Sequence, residues 1–350
     1  MPEQAKVHLA TDTILKIDNL HTYFFTDLGV SRALNGVSFN VSTGKVLGVV
    51  GESGCGKSVT ALSIMQLVPH PGRTVKGKIY LSADHSGRDA VEITALGRNS
   101  PEMRALRGGK IGMIFQEPMT SLNPSYTVGN QIMEAVLIHQ HVTNRDAEDR
   151  AVKMLDRVGM PNPASVIKRY PHELSGGMRQ RAMVAMALSC SPAVLIADEP
   201  TTALDVTTEA QILDLMRELQ ADLGMTTILI THNLGVVAQM CDNVVVMYLG
   251  RIVEQSPVDA VFYNPQHPYT KALLHSIPHV GSRTKARLEP IRGVVPDPYA
   301  EIVGCPFRPR CDFARPGQCD VRVPSLTTVE QDHAVRCFLF SDEEEGDHDA

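Results

Sequence analysis

The sequence contains no uninterrupted apolar run that approaches the roughly 18–20 residues a membrane-spanning helix requires. The nearest candidate, residues 182–197, is interrupted by Ser189-Cys190-Ser191-Pro192, which indicates a helix, a turn and a buried strand. The first residues, Met-Pro-Glu-Gln-Ala-Lys, lack the basic start and apolar core of an export signal, so none is expected. Any membrane role is therefore expected to be peripheral and to depend on partner chains.

The sequence also lacks a surplus of basic residues. The 33 Lys and Arg stand against 39 Asp and Glu, a formal net charge of −6. Residues 341–350 contain six carboxylates and no Lys or Arg, so the remaining chain is neutral. This pattern predicts an acidic, disordered tail at 341–350, and the charge balance gives no indication of a nucleic-acid partner.

The distribution of apolar runs predicts an α/β fold. Runs typical of buried strands lie at 46–50, 111–115, 193–197, 226–230 and 244–247. Helical patterns separate them, including 128–139, 145–158 and 178–188, as expected for a parallel sheet with covered faces. Runs at 14–20 and 37–41 predict an initial β-rich portion, and 77–100 reads as a variable insert. Prolines become frequent from about residue 264, which predicts little regular structure there.

The run Gly-Glu-Ser-Gly-Cys-Gly-Lys-Ser at 51–58 follows an apolar strand and precedes a helical pattern at 59–67. Glycines let such a loop close around an anion, which the backbone N–H groups and the helix N-terminus then face. Lys57 is expected to reach the β- and γ-phosphates, and the Ser58 hydroxyl to bind magnesium. The predicted nucleotide-binding residues here are Gly51, Glu52, Ser53, Gly54, Cys55, Gly56, Lys57, Ser58 and Val59.

The apolar strand at 193–197 ends in two carboxylates, Asp198 and Glu199. An Asp-Glu pair alone is more often a solvated turn. After a buried strand, and with a phosphate loop in the same chain, the position favours catalysis at the carboxyl end of a parallel sheet. Asp198 is expected to hold magnesium, directly or through water, and Glu199 to polarise the attacking water.

With these motifs, the chain resembles an ABC transporter nucleotide-binding subunit over nearly its whole length. The family's motifs occur in family order: the phosphate loop at 51–58, the Q-loop Gln116, the signature Leu-Ser-Gly-Gly-Met-Arg-Gln at 174–180, Asp198-Glu199, the D-loop Ala203-Leu204-Asp205 and the switch histidine His232. The resemblance implies an ABC-type domain at 1–263, with a RecA-like parallel-sheet core, a β-rich portion and a helical subdomain at about 117–190. No internal repeat is found, so one cassette is expected.

The resemblance further implies a head-to-tail dimer with two ATP molecules at the interface. A serine hydroxyl and glycine N–H groups at a helix start form a second anion cradle. The residues expected to contact ATP held by the partner subunit are Ser175, Gly176, Gly177, Gln180 and Asp205.

Three further residues acquire roles through the resemblance. His232 is expected to contact the γ-phosphate and order the water, and Gln116 to ligate magnesium and relay its state to membrane subunits. Phe24 is expected to stack on adenine, with Tyr23 as the alternative, and either ring could instead pack in the core. The position of Cys55 at a helix start could lower its thiol pKa, although a spectator role is expected.

The chain departs from the family pattern at two positions. Met178 stands where many members have glutamine, and Asn233 replaces the usual aspartate after the switch histidine. Neither change removes a group that the chemistry needs, so a hydrolysis-competent site is expected.

Two segments narrow the resemblance to ATPases of oligopeptide and dipeptide importers, closest to the first of the two dissimilar subunits in dipeptide importers. They are Asn-Pro-Gln-His-Pro-Tyr-Thr-Lys-Ala-Leu-Leu at 264–274 and Gln-Glu-Pro-Met-Thr-Ser-Leu-Asn-Pro at 116–124. The implied protein lies on the cytoplasmic face of a bacterial inner membrane. Its implied partners are a second ATPase subunit, two permease subunits and, indirectly, a substrate-binding protein.

A C-terminal extension at 264–340 is expected to hold a metal centre through Cys305, Cys311, Cys319 and Cys337. Four thiolates can complete a tetrahedral site or hold a [4Fe–4S] cluster. The lack of a Cys-x2-Cys pair weakens the zinc interpretation. Members of the importer subfamily with this spacing bind a [4Fe–4S] cluster, so the resemblance favours the cluster over zinc, thiols or disulfides.

Other functions remain as alternatives. Related importers carry nickel, sugars or haem, and substrate choice belongs to other subunits. A soluble ABC ATPase acting on DNA would insert long coiled coils or zinc modules, whereas only 116 residues separate Ser58 from Ser175. Ribosome-acting members usually carry two cassettes. An iron–sulfur redox protein is a further alternative, but such a protein would not need the complete set of ATPase motifs.

Overall fold

A computed structural model describes residues 8–82, 89–116, 121–202, 204–276 and 291–340. The predicted tail at 341–350, Ala203 of the D-loop and positions 117–120 lie outside the described residues. The chain forms two compact units. The first comprises Met1–Lys16, Asn40–Val46 and Ile79–Ile230, and the second comprises Ile17–Phe39, Leu47–Lys78 and Thr231–Ala350.

The strands of the described residues are β1 (Thr13–Thr26), β2 (Gly29–Ser42), β3 (Val46–Val50), β4 (Gly72–Leu81), β5 (Val91–Glu92), β6 (Ile111–Ile114), β7 (Val194–Asp198), β8 (Thr226–Ile230), β9 (Asn243–Tyr248), β10 (Arg251–Pro257), β11 (Thr327–Glu330) and β12 (His333–Val335). The α-helices are α1 (Lys57–Ile64), α2 (Pro101–Leu106), α3 (Val128–His139), α4 (Asn144–Arg157), α5 (Pro163–Val166), α6 (Gly176–Leu188), α7 (Val206–Leu223), α8 (Leu234–Met240), α9 (Val258–Tyr263) and α10 (Pro268–His275). Short 3₁₀ turns lie at Ile93–Ala95, Pro171–Glu173 and Arg308–Arg310.

The first unit contains parallel strands in the order β8-β7-β6. Every residue of these three strands is buried, and most of the residues are apolar, as is typical of parallel strands. Helices α3, α4 and α6 pack against one another. Thr127 and Thr143 cap α3 and α4 by accepting backbone N–H groups, so the start of each helix is set by a local hydrogen bond.

The second unit contains the strand order β11-β12-β10-β9-β3. β3 and β9 are parallel, and β9, β10, β12 and β11 pair in antiparallel fashion. The pairing of Glu254 with Val335 brings the last strands of the C-terminal extension onto β10. The extension therefore has regular structure that its proline content did not predict.

Strands β1, β2, β4 and β5 form a sheet of order β2-β1-β4-β5. β1 and β2 are longer than the predicted runs, and β4 extends into the segment predicted as an insert. Within the described residues, no helix combines the length and apolar character needed to cross a membrane.

Candidate nucleotide-binding site

The phosphate loop leaves the buried strand β3 and enters α1 through backbone conformations that require glycine. Gly51 has φ +149°, and a Cβ atom there would lie 2.2 Å from the Met247 carbonyl oxygen. Gly56, the N-cap residue of α1, has φ +104° and would place a Cβ 2.5 Å from the Ala33 carbonyl oxygen. Sterics therefore fix glycine at both ends of the loop.

Lys57 is buried and its ammonium lies at the loop. Its Nζ donates to the Gly51 carbonyl at 2.8 Å and the Glu52 carbonyl at 3.1 Å. The loop backbone thus positions one full positive charge where the motif predicts phosphate. Ser58 and Val59, the next residues of α1, are half-buried.

Burial opposes the reactivity that the helix-start position of the Cys55 thiol suggested. Only 3% of the residue is exposed. Burial raises the pKa of the thiol, although Lys57 acts in the opposite direction. Burial therefore disfavours the thiolate, and the spectator role of Cys55 stays a prediction.

Glu52 makes contacts that sequence reasoning missed. Its carboxylate accepts two hydrogen bonds from the Arg310 guanidinium, at 2.6 and 3.0 Å. Its backbone N–H donates to the Tyr269 hydroxyl at 2.8 Å. These partners lie 258 and 217 residues later in the chain, so no local pattern could have indicated them.

The aromatic residues of β1 differ in their surroundings. The Phe24 ring lies against Gly72, because a Cβ on that glycine would approach the ring to 2.6 Å. The Tyr23 hydroxyl lies 3.1 Å from the His21 ring nitrogen. Phe25 is the most exposed of the three, at 39%, with the Arg73 guanidinium 4.5 Å from its ring centre. Adenine stacking by Phe24 stays a prediction.

His232 lies on the exposed segment between β8 and α8. The following residue, Asn233, caps α8 by accepting the N–H groups of Gly235 at 3.0 Å and Val236 at 3.4 Å. An amide oxygen caps a helix as well as a carboxylate does, which explains why asparagine can replace the usual aspartate here.

A cavity of about 300 Å³ borders the phosphate loop at Gly54. Its other walls are residues of β2, the turn between β9 and β10 around Gly250, and the extension, including Tyr299 and Glu301. The C-terminal extension therefore lines space beside the loop, which the sequence did not indicate.

In the first unit, Glu199 is held by two hydrogen bonds. Its Oε2 accepts from the Gln116 amide at 3.1 Å and from the Thr202 hydroxyl at 2.9 Å. Glu199 has φ +48°, and its N–H donates to the Ile230 carbonyl at 2.8 Å. Asp198, the last residue of β7, is buried. The structure thus joins Gln116 and Glu199, two of the three predicted catalytic residues, and both lie at the carboxyl ends of parallel strands.

The first residues of the signature start a helix, and two of them, Ser175 and Gly176, are exposed. Ser175 is the N-cap of α6, and its hydroxyl accepts the Met178 N–H at 3.4 Å. Ser175 and Gly176 are exposed and Gly177 is half-buried. A Cβ on Gly176 would meet nothing within 4 Å, so its glycine is not explained by packing within this chain.

Two other residues predicted to contact the partner's ATP have local partners. Gln180 is 1% exposed and donates to the Pro200 carbonyl, so it supports the loop after Glu199 from inside. Gln180 therefore lies on the inner face of α6, and its role at the partner's ATP stays a prediction. Asp205 is exposed and caps α7 through Thr207 and Thr208, whose hydrogen bonds lower its pKa.

The four C-terminal cysteines line one small cavity of about 20 Å³, shared with Phe307 and Phe338. No disulfide joins any of the seven cysteines, all of which lie in the described residues. Burial and the neighbouring thiols raise the pKa of Cys305 to about 11, and burial also raises those of Cys311 and Cys337.

Four thiols are suitable ligands for a thiophilic metal. The arrangement of these four side chains in the structure, however, does not fit a metal ion. Within the described ranges, no group of three His, Cys, Asp or Glu side chains is arranged to hold a metal ion. Tetrahedral zinc would need sulfur atoms about 3.8 Å apart, given Zn–S bonds of about 2.3 Å. The structure therefore gives no support for a metal centre at the four cysteines, and the [4Fe–4S] cluster remains a prediction from the sequence.

Comparison with known proteins gives two family matches. Residues 34–202 match the family described as ABC transporter. Residues 253–319 match the family described as oligopeptide/dipeptide transporter, C-terminal region.

Relatives and solved structures extend these matches over the chain. A probable peptide ABC transporter ATP-binding protein of Sinorhizobium fredii is 50% identical over 328 residues, covering 93% of this chain and 95% of that protein. The dipeptide transport ATP-binding protein DppD of Escherichia coli is 45% identical over 330 residues, covering 94% and 98%. The dimeric structure of MJ0796, a bacterial ABC transporter cassette, is similar with a TM-score of 0.61 and 25% identity, covering 70% and 98%.

Proposed function

This chain belongs to the family of ABC transporter ATP-binding proteins, and from that membership we propose that it powers import of di- or oligopeptides by hydrolysing ATP. The observation that carries the peptide assignment is the match of residues 253–319 to the C-terminal region of oligopeptide and dipeptide transporters. Relatives named for peptide or dipeptide transport, at 45–50% identity over most of the chain, support it.

The phosphate loop supplies the binding site for the nucleotide. Backbone N–H groups of the loop and the N-terminus of α1 face the phosphates, and Lys57 adds a full positive charge. Phe24 or Tyr23 stacks on adenine. Magnesium prefers oxygen ligands, so the Ser58 hydroxyl, the Asp198 carboxylate and the Gln116 amide oxygen are suited to hold it.

Glu199 acts on the attacking water. The hydrogen bonds from Gln116 and Thr202 fix its carboxylate, so the group is oriented before the nucleotide reacts. His232 contacts the γ-phosphate and orders the same water. Magnesium held by Ser58, Asp198 and Gln116 would supply positive charge that neutralises the phosphates.

Two ATPase subunits act together. Ser175, Gly176 and Gly177 present an exposed helix start, which suits an anion held by a partner subunit. MJ0796, which is similar in fold, forms a dimer. The partner here is a second, related ATPase. Two permease subunits at the cytoplasmic face of the inner membrane and, indirectly, a substrate-binding protein complete the importer.

The four C-terminal cysteines hold a [4Fe–4S] cluster. Support comes from the donor set, since four thiols surround one cavity. Burial and mutual repulsion disfavour thiolates there unless a cation compensates them. A bound cluster would supply four covalent ties to a segment with little apolar core.

Metal analysis tests this part of the proposal. Protein purified without oxygen is expected to contain about four irons and four sulfides per chain, and Cys305→Ser or Cys337→Ser is expected to lose them. Cys190→Ser, outside the cluster, is the matched control and should keep them. One zinc without sulfide, or no metal at all, would contradict the cluster.

Transport measurements test the peptide assignment. A strain lacking this chain is expected to lose uptake of radiolabelled di- and tripeptides. The wild-type gene should restore uptake, whereas a gene carrying Glu199→Gln should not. Loss of nickel, haem or sugar uptake instead would assign a different importer, and no loss of any uptake would favour a soluble ABC ATPase.

A further inference from the structure

The second residue of the phosphate loop is bound to the C-terminal extension through a nearly buried ion pair. Arg310 and Glu52 form two parallel hydrogen bonds, and 3% and 27% of their side chains are exposed. Bidentate arginine–carboxylate pairs combine charge with fixed geometry, so this contact restrains the orientation of Glu52 as well as its position.

Arg310 is itself fixed by the second unit. Its Nε donates to the Arg292 carbonyl at 2.9 Å, and its Nη1 lies 3.4 Å from the Tyr248 hydroxyl. It belongs to the 3₁₀ turn Arg308–Arg310, directly before Cys311. The turn that places the guanidinium therefore lies between two of the clustered cysteines, Cys305 and Cys311.

The loop backbone is held from the extension as well. Tyr269, in α10, accepts the Glu52 N–H at 2.8 Å. Tyr269 is fully buried and packs against Tyr248 and Phe307, with ring centres 4.7 and 5.4 Å away. Glu52 is thus tied to the extension at both its side chain and its main chain.

The charge of Glu52 makes this contact relevant to ATP. A carboxylate in a loop that binds polyphosphate repels the ligand unless a cation compensates it. Arg310 provides that cation. The Glu52 carbonyl also accepts a hydrogen bond from Lys57, so a displaced Glu52 would disturb the lysine that binds the phosphates.

We propose that Arg310 is a positioning residue of the phosphate loop, which makes ATP affinity depend on the C-terminal extension. The inference rests on the proposed function only in taking residues 51–58 as the ATP site. Arg310 acts through Glu52 and does not itself touch the nucleotide. Its loss leaves an uncompensated carboxylate beside the phosphates and removes the side-chain tie between Glu52 and the extension, while the hydrogen bond from the Glu52 N–H to Tyr269 remains.

A double-mutant cycle tests the inference on the full-length chain. The probe is N-methylanthraniloyl-ATP with magnesium, and the readout is its dissociation constant. Arg310→Met is expected to weaken binding about tenfold, within the range typical of coupled sites. In a Glu52→Gln background, where no carboxylate needs compensation, the same change should alter the constant by less than about twofold.

Arg308→Met is the matched control, because this arginine lies in the same turn and its side chain is exposed. It should bind the probe as the wild type does. Equal loss of affinity on Arg310→Met in the wild-type and Glu52→Gln backgrounds, or no loss in either, would overturn the inference.

If Arg310→Met does not fold, Arg310→Lys keeps the charge but not the bidentate geometry. It should weaken binding severalfold, again only when Glu52 is present, and unchanged binding would overturn the inference. Failure of the wild-type chain to bind the probe would instead contradict the proposed function.

Discussion

Gln116 and Glu199 share a hydrogen bond of 3.1 Å although 83 residues separate them, because β6 and β7 are parallel neighbours. The amide donates to the carboxylate, so the residue proposed to polarise water is oriented by the residue proposed to sense magnesium. A change in the position of Gln116 would therefore reach Glu199 directly.

Replacing Glu199 tests its catalytic role. Glu199→Gln is expected to lower the rate of phosphate release at least about 100-fold, since general bases contribute about 10²–10⁴. Nucleotide affinity should stay within about twofold of wild type, because the phosphate loop is unchanged. Steady-state hydrolysis and titration with a fluorescent ATP analogue measure the two quantities. A variant that still hydrolyses at half the wild-type rate would remove Glu199 from the mechanism.

Thr202 offers a milder test of the same carboxylate. Its hydroxyl donates to Glu199 at 2.9 Å, whereas the hydroxyl of neighbouring Thr201 donates to Glu209. Thr202→Val should lower kcat about fivefold, the equivalent of one hydrogen bond of about 1 kcal/mol. Thr201→Val is the control and should leave kcat unchanged. Equal effects of the two variants would indicate a general disturbance of the loop.

The sequence predicted the buried parallel strands and the helices α3, α4 and α6 to within two residues, whereas α7, the longest helix of the described residues, received no predicted bounds. β3, β8 and α3 begin and end at the predicted residues. Buried parallel strands carry uninterrupted apolar runs, and α3 has a threonine cap, so both leave local signals. Glu199 could be proposed because it follows a buried strand in a chain that also has a phosphate loop, whereas Gln116 was proposed from the family resemblance, and both roles stay predictions.

The contacts of the extension could not be predicted in this way. β12 is three residues long, and its pairing with β10 depends on strands about 80 positions apart. The ion pair of Arg310 with Glu52 spans 258 residues. Neither leaves a periodic or local signal, because both arise from tertiary packing. The burial of Gln180 likewise leaves no local signal, since it depends on the loop that α6 packs against.

The loop glycines give a matched pair of stability predictions. Gly51 and Gly54 both have positive φ, but only Gly51 would place a Cβ against backbone, 2.2 Å from the Met247 carbonyl oxygen. Gly54→Ala should cost about 1–2 kcal/mol from conformational strain alone. Gly51→Ala should lower the free energy of unfolding further, because the added methyl group would force the end of β3 away from Met247 in β9. Urea denaturation followed by circular dichroism measures both, and equal losses would argue against the steric explanation.

His267 predicts how stability depends on pH. It is fully buried, its ring accepts the Tyr269 N–H at 3.0 Å, and its backbone N–H donates to Glu254. Burial lowers the pKa of His267 to about 3, with a smaller contribution from Lys271. The folded protein therefore keeps this histidine neutral, whereas the unfolded chain protonates it near pH 6.5.

The direction of this pH dependence follows from proton uptake on unfolding. Because the unfolded state binds the extra proton, the stabilisation is complete above about pH 6.5 and is lost as pH falls toward 3. Between these two pH values, protonation of His267 lowers the free energy of unfolding by up to about 1.4 kcal/mol per pH unit. His267→Asn keeps an acceptor for the Tyr269 N–H but cannot be protonated, so its free energy of unfolding should fall less steeply between pH 6.5 and 5. The pair of His333 with Glu254 is present in both proteins and cancels in the comparison. Parallel pH profiles for the two proteins would show that another group controls the acid sensitivity.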